Sequence, residues 1–175
     1  MLQAAMLAAG LMIITGATSA SVARRAVDWQ VLLVIAASFG IGAAMQESGA
    51  AATLARGVLA LGGDSPTAVL AWVFLVTALL TALVTNNAAA VLMFPIAQAA
   101  AARLEVDFLP FVIAIMIAAS ASFATPLGYQ TNLMVYGPGG YRFSDYLRAG
   151  LPVTAVVAVV TVAVVPLVWP FAGAG

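Results

Sequence analysis

The chain has 175 residues, 65% of them hydrophobic and 7% charged, against about 25% charged residues in soluble domains, so an aqueous globular fold is excluded. Six basic residues, all Arg, balance six acidic ones, and there is no His and no Cys. That inventory leaves no basic face for nucleic acid, no polybasic run for anionic lipid, no disulfide framework, no Cys- or His-bound metal and no histidine general base.

The first apolar segment, residues 2–22, ends at Arg24-Arg25. Arg follows the apolar run instead of preceding it, so a spanning helix is expected and not a signal peptide. A second span, 29–48, starts at Asp28-Trp29, where Asp28 can cap and Trp29 can sit at the interface. It softens at Gln46, Glu47 and Ser48, and Gly40, Gly42 and Gly49 thin it enough for close packing or a break. Gly62-Gly63-Asp64-Ser65-Pro66 reads as a loop. Two apolar arms, 67–84 and 88–103, then flank the polar triplet Thr85-Asn86-Asn87, and both are short for a full crossing; a re-entrant helical hairpin over 67–103 is expected. Residues 111–136 form a transmembrane segment broken at Thr125-Pro126. The polar stretch runs on through Asn132, and a short apolar remainder, 133–136, precedes Gly137-Pro138-Gly139-Gly140. The last span, 151–171, is rich in Val and Ala, with Trp169 near one end as an interface anchor. The expected fold is an all-α integral membrane domain over 1–175, with about four transmembrane helices plus the hairpin.

A hairpin returns to the side it left, whether its arms dive halfway or cross. Arg24, Arg25, Arg142 and Arg148 therefore share one side, and Arg56 and Arg103 the other. The positive-inside rule places the four in the cytoplasm, both termini outside, and the hairpin entering from outside a multi-pass protein of the cytoplasmic membrane.

The two breaks carry the densest uncharged polar clusters of the chain. Polar backbone at membrane depth is tolerated only where it is buried in protein or lines a cavity. A helix ending near Val84 leaves carbonyls that attract cations, and a helix starting near Ala88 offers N–H groups that attract anions. Asn87 is placed to cap the second arm, while Thr85 and Asn86 can turn oxygens toward a hard cation such as sodium. A helix broken at Thr125-Pro126 frees carbonyls near Ala124. An anion held by N–H groups and amides needs no buried Lys or Arg, which avoids the cost of an intramembrane charge. Plainer readings exist for each part. Thr85-Asn86-Asn87 reads equally as a tight loop or as interhelical glue, Thr125-Pro126 as a kink, and Arg142 and Arg148 as topology anchors. Two interrupted segments in succession favour a small anion-plus-cation site.

The stretch Val84-Thr85-Asn86-Asn87-Ala88-Ala89-Ala90-Val91-Leu92-Met93-Phe94-Pro95-Ile96 resembles the second Ser-Asn-Thr hairpin motif of the divalent anion/sodium symporter family, the dicarboxylate, citrate and sulfate permeases. Ala124-Thr125-Pro126, followed by Thr131-Asn132-Leu133-Met134-Val135-Tyr136-Gly137, is similar to that family's broken-helix signature. The resemblance implies an elevator-type secondary transporter, not an enzyme, built from two inverted halves of which this chain matches the C-terminal one. It implies substrate contacts at Thr85, Asn86, Asn87, Thr125, Pro126, Thr131 and Asn132, and ion contacts at Val84, Thr85, Asn86, Ala124 and Thr125. It implies sodium as coupling ion and no other cofactor. The implied partners are the lipid bilayer, a small divalent anion (dicarboxylate, citrate or sulfate), an N-terminal half, and a second copy in a homodimer of the complete transporter. Asn87 departs from the family's Thr, and the insert Leu127-Gly128-Tyr129-Gln130 is nearer the sulfate-type branch. The competing readings are a truncated or non-transporting membrane assembly or scaffold protein, in which Asn86→Ala and Thr125→Ala would be silent, and a channel half, whose turnover would not saturate. An intramembrane enzyme would need a nucleophile with a base, or a metal site, for which the residues are missing.

Overall fold

The computed structural model describes residues 2–27 and 29–171, and all regular structure among them is helical. Asp28, the expected cap of the second span, lies outside the described residues. The chain divides into residues 1–37 and 38–175, and each unit is taken by itself.

In the first unit the expected single span over 2–22 is two helices, α1 (Leu2–Ile14) and α2 (Ala20–Arg25). Gly16 takes a left-handed φ of 73°, a conformation that costs glycine nothing. The Thr15 hydroxyl donates to the Leu11 carbonyl at 2.7 Å, and Ser19 caps α2 by accepting from the Val22 N–H. Small polar residues that supply their own hydrogen bonds thus end a helix that hydropathy alone would have continued. α3 (Trp29–Glu47) runs across the boundary between the units without interruption at Gly40 or Gly42. It ends where Gly49 turns left-handed, at φ 71°.

The second unit holds α4 (Ala50–Gly62), α5 (Pro66–Leu83), α6 (Asn86–Leu104), α7 (Leu109–Ser120), α8 (Gln130–Tyr136) and α9 (Phe143–Val168). The sequence reading assigned no helix to α4, whose buried stripe is Ala51, Ala55 and Val58, the i, i+4, i+7 spacing of one helical face. Ser65 caps α5 from the Ala68 N–H, with Pro66 in the first turn, where its missing N–H is no loss. α5 and α6 pack side by side, α4 covers both, and α7 lies against both; α9 joins α5 and α7. Their shared core contains Leu70 and Val73 of α5, Met93, Ala97 and Ala100 of α6, and Phe111 and Ala114 of α7. The alanines let the backbones approach closely, so van der Waals contact holds these helices where lipid removes most of the hydrophobic drive.

Two boundaries differ from the expectation. α7 ends at Ser120 and not near Ala124, and residues 121–129 are non-helical. Pro126 forbids only the turn spanning 122–126, and the helix closes earlier, where the Ala121 N–H turns to the Ala118 carbonyl at 3.0 Å and the Ser122 hydroxyl goes to the Thr81 carbonyl of α5. α9 begins at Phe143, eight residues before the expected 151, because Asp145 accepts a hydrogen bond from the Arg142 N–H at 2.8 Å and organises a polar first turn. Among the described residues, α5 and α9 are long and apolar enough to cross a membrane. α9, at 26 residues, is about 39 Å long. It leaves Val156, Val159, Val160, Val164 and Leu167 exposed.

Candidate functional site

The bend between α5 and α6 is only Val84 and Thr85. Thr85, and not Asn87, caps α6: its Oγ1 accepts from the Ala88 N–H at 3.4 Å, and its carbonyl accepts from Ala89 at 3.0 Å. Asn86 is therefore already helical, and the N–H groups of Asn86 and Asn87 precede the first intrahelical acceptor. Thr85 and Asn87 are exposed at the tip, while Asn86 turns inward.

The tip and the break meet through reciprocal capping of helix ends. The last carbonyls of α5, which have no partner within their helix, are taken by hydroxyls of the break. Ser122 donates to the Thr81 carbonyl at 3.2 Å, and Thr125 donates to the Ala82 carbonyl at 2.7 Å. In return, the buried Thr81 hydroxyl donates to the Ala119 carbonyl at the end of α7, at 2.7 Å. The Asn86 amide nitrogen faces three acceptors: Thr81 Oγ1 at 2.9 Å, the Gly128 carbonyl at 3.1 Å and the Ala119 carbonyl at 3.2 Å. The opposite orientation would set its oxygen against two carbonyls, so the network itself assigns the amide. At Gly128 the backbone passes so close to α5 that a Cβ would collide with the Thr81 carbonyl oxygen and with Ser122 Oγ. On the far side of the break, the Asn132 amide donates to the carbonyls of Ser122 at 2.9 Å and Thr125 at 3.2 Å.

The structure thus brings together Asn86, Thr125, Pro126 and Asn132 of the expected site, and adds Thr81, Ser122 and Gly128. It separates others. Val84 gives its N–H to Leu80, and Thr131 is exposed on α8. Thr131 and Asn132 belong to the first turn of α8 and not to the break. The α5 end is capped at Thr81 and Ala82, and Ala124 lies mid-break beneath Gly150 of α9, four residues beyond the end of α7. Thr81 and Ser122 could have been suspected, being hydroxyls in otherwise apolar surroundings. Gly128 carried no such signal.

No ionisable side chain takes part in these contacts, and among the described residues no three His, Cys, Asp or Glu gather into a metal-binding group. The seam presents dipoles only. Helix-end carbonyls and hydroxyl oxygens suit a small hard cation, and the N-terminal N–H groups of α6 suit an anion.

Apolar helices packed around a neutral polar seam are the make-up of a helical membrane domain. The chain belongs to the citrate transporter family, which matches residues 2–174, and this bears out the resemblance to the divalent anion/sodium symporters. It is 42% identical over 151 residues to the sodium/sulfate cotransporter 2 of Chlamydomonas reinhardtii, covering 85% of this chain and 17% of that protein. It is 42% identical over 159 residues to the transporter sll0640 of Synechocystis, covering 90% of this chain and 26% of the relative. A sodium-dependent low-affinity dicarboxylate transporter 1 of Caenorhabditis elegans is 27% identical over 126 residues, or 72% of this chain and 22% of its own length. The chain thus spans about a third or less of the length of the curated relatives it matches. The family and these relatives are transporters and not enzymes, and the protein is an integral membrane protein.

Proposed function

We propose that this chain is the C-terminal half of a secondary transporter that couples the uptake of a small divalent anion (sulfate, a dicarboxylate or citrate) to sodium across the cytoplasmic membrane. In this reading α5 and α6 form a re-entrant hairpin, and its tip and the 121–129 break are one half of the site. The observation that carries it is the interlock itself: two consecutive interrupted elements, uncharged, with their helix ends capping each other through Thr81, Asn86, Ser122 and Thr125. A chain of lipid-facing helices joined by ordinary loops has no need to bury such a network.

Within it, Asn86, Thr125 and Asn132 shape the site. Thr85 and Asn87, with the N–H groups at the start of α6, face the anion. Carbonyl and hydroxyl oxygens from the ends of α5 and α7 and from the break, including those of Val84 and Ala124, supply sodium ligands. Pro126 holds the break open, and Thr131 lines its α8 side. The remaining contacts come from an inverted N-terminal half, and the complete transporter is a homodimer. The names of the relatives, sodium/sulfate and sodium-dependent dicarboxylate transporters, support the choice of sodium and of a dianion.

Proteoliposomes test this directly. The chain alone is expected to take up no labelled sulfate or succinate. Reconstitution with an inverted half carrying its own polar-tipped hairpin is expected to give saturable uptake that requires an inward sodium gradient. Uptake by this chain alone would overturn the half-transporter reading, and uptake indifferent to sodium would overturn the coupling.

A further inference from the structure

The break is bound to the hairpin on one side, and on its other side it meets α8 and α9. The Tyr146 hydroxyl, in the first turn of α9, donates to the main-chain carbonyl of Asn132 at 3.0 Å. Asn132 is the residue whose amide holds the Ser122 and Thr125 carbonyls. One turn further along α9, on the same face, Gly150 is buried, and a Cβ there would collide with the Phe123 carbonyl. The Tyr146 ring has its own supports. Tyr136, the last residue of α8, lies 6.0 Å away centroid to centroid, and Tyr141 packs edge-on at 6.1 Å. The Tyr141 ring in turn rests on Gly139, where no side chain would fit.

We propose that Tyr146 is a positioning residue of the transport site: caged by Tyr136 and Tyr141, it clamps Asn132 and so fixes where the 121–129 break presents its backbone to the ion and the anion. The inference rests on the break being part of the site, as argued above, and extends that site to α9. Hydroxyl, Asn132 carbonyl, Asn132 amide and the Ser122 and Thr125 carbonyls form one continuous chain of contacts. Tyr146 touches neither ligand, and its effect passes through Asn132. Gly150 lets α9 approach closely enough for the hydroxyl to reach.

Hydrogen–deuterium exchange on the chain reconstituted with its inverted half in nanodiscs tests the clamp, comparing the unaltered protein with Tyr146→Phe, which keeps the ring and removes the hydroxyl. Exchange of amides 121–132 is expected to quicken about fivefold, the effect of one lost neutral hydrogen bond, while peptides from α4 and the core of α6 stay unchanged. Sodium sulfate is expected to slow exchange of the break, and the half-protecting concentration is expected to rise severalfold in Tyr146→Phe. A merely structural bond would not move that concentration. Unchanged exchange at 121–132, or a half-protecting concentration that does not move, would overturn the proposal. The exchange comparison needs no ligand. Failure of sodium sulfate to protect the unaltered chain therefore counts against the proposed function, whereas unaltered exchange in Tyr146→Phe counts against the clamp.

Discussion

Gly128→Ala is expected to be among the most damaging additions of a single methyl group to this chain. The new Cβ would collide with the Thr81 carbonyl oxygen and with Ser122 Oγ. Neither is the far end of a flexible side chain: the carbonyl belongs to the last turn of α5, and the hydroxyl is committed to that carbonyl. The break must retreat from the hairpin. Overpacking of this kind costs about 1–3 kcal/mol. The retreat also breaks the Ser122–Thr81 bond and draws the Gly128 carbonyl away from Asn86, each worth about 1 kcal/mol. A loss of about 3 kcal/mol or more is expected in an SDS titration of the protein in mixed micelles. Gly137→Ala, where a Cβ meets nothing within 4 Å, is expected to unfold with the unaltered chain. Equal midpoints for Gly128→Ala and Gly137→Ala would contradict the close approach.

Asn86→Leu is the second large effect. The side chains are similar in size, but leucine donates nothing to Thr81 Oγ1, Ala119 or Gly128. Ala119 keeps the Thr81 hydroxyl, so the Gly128 carbonyl is the group left orphaned, and leaving a buried acceptor unsatisfied costs about 1–3 kcal/mol. The functional loss is expected to exceed the loss of stability. Among the described residues, Asn86 is the one side chain that reaches both helix ends and the break, so its removal frees the break to drift from the tip. In the reconstituted transporter sodium-driven uptake is expected to fall below detection, while the SDS midpoint moves by the equivalent of about 2 kcal/mol. A variant that transports normally would leave the amide as mere packing between helices.

The bend between α5 and α6 is legible in the sequence because polarity changes abruptly there: Thr85-Asn86-Asn87 interrupts apolar arms. The end of α7 was less legible. Hydropathy carries on to Ala124, and Pro126 alone would allow a helix that far, whereas α7 stops at Ser120 and the Ser122 hydroxyl goes to the Thr81 carbonyl of α5. Asn87 is a favoured cap residue by type. Thr85 is favoured too, and only the φ, ψ of 85 (−70°, 152°) decides between them. α4 gives a weak signal because it is only 13 residues long and carries Arg56 in its middle, too short and too interrupted to read as a spanning run. The polar first turn of α9 hides that helix's start. Gly128 and Tyr146 could not have been found, since their roles arise from close approach between segments distant in the chain. Tyr146 faces a carbonyl 14 residues away, and Gly128 faces Thr81 across the whole of α6 and α7.

The central claim is that the bend between α5 and α6 and the proline-containing break form one polar pocket that takes up sodium and a dianion. A chain without cysteine permits a single reporter thiol, and Leu83→Cys sits beside the tip at a position that is 66% exposed. Its reaction with a membrane-impermeant thiol reagent, measured in nanodiscs with the partner half present, reads the pocket directly. Sodium sulfate is expected to slow labelling saturably, by about tenfold, the effect of some 1.4 kcal/mol of coupled binding, with choline chloride inert and Asp64→Cys in the distant loop unaffected. Labelling at Leu83→Cys that ignores sodium sulfate, or that slows equally at Asp64→Cys, would contradict the account.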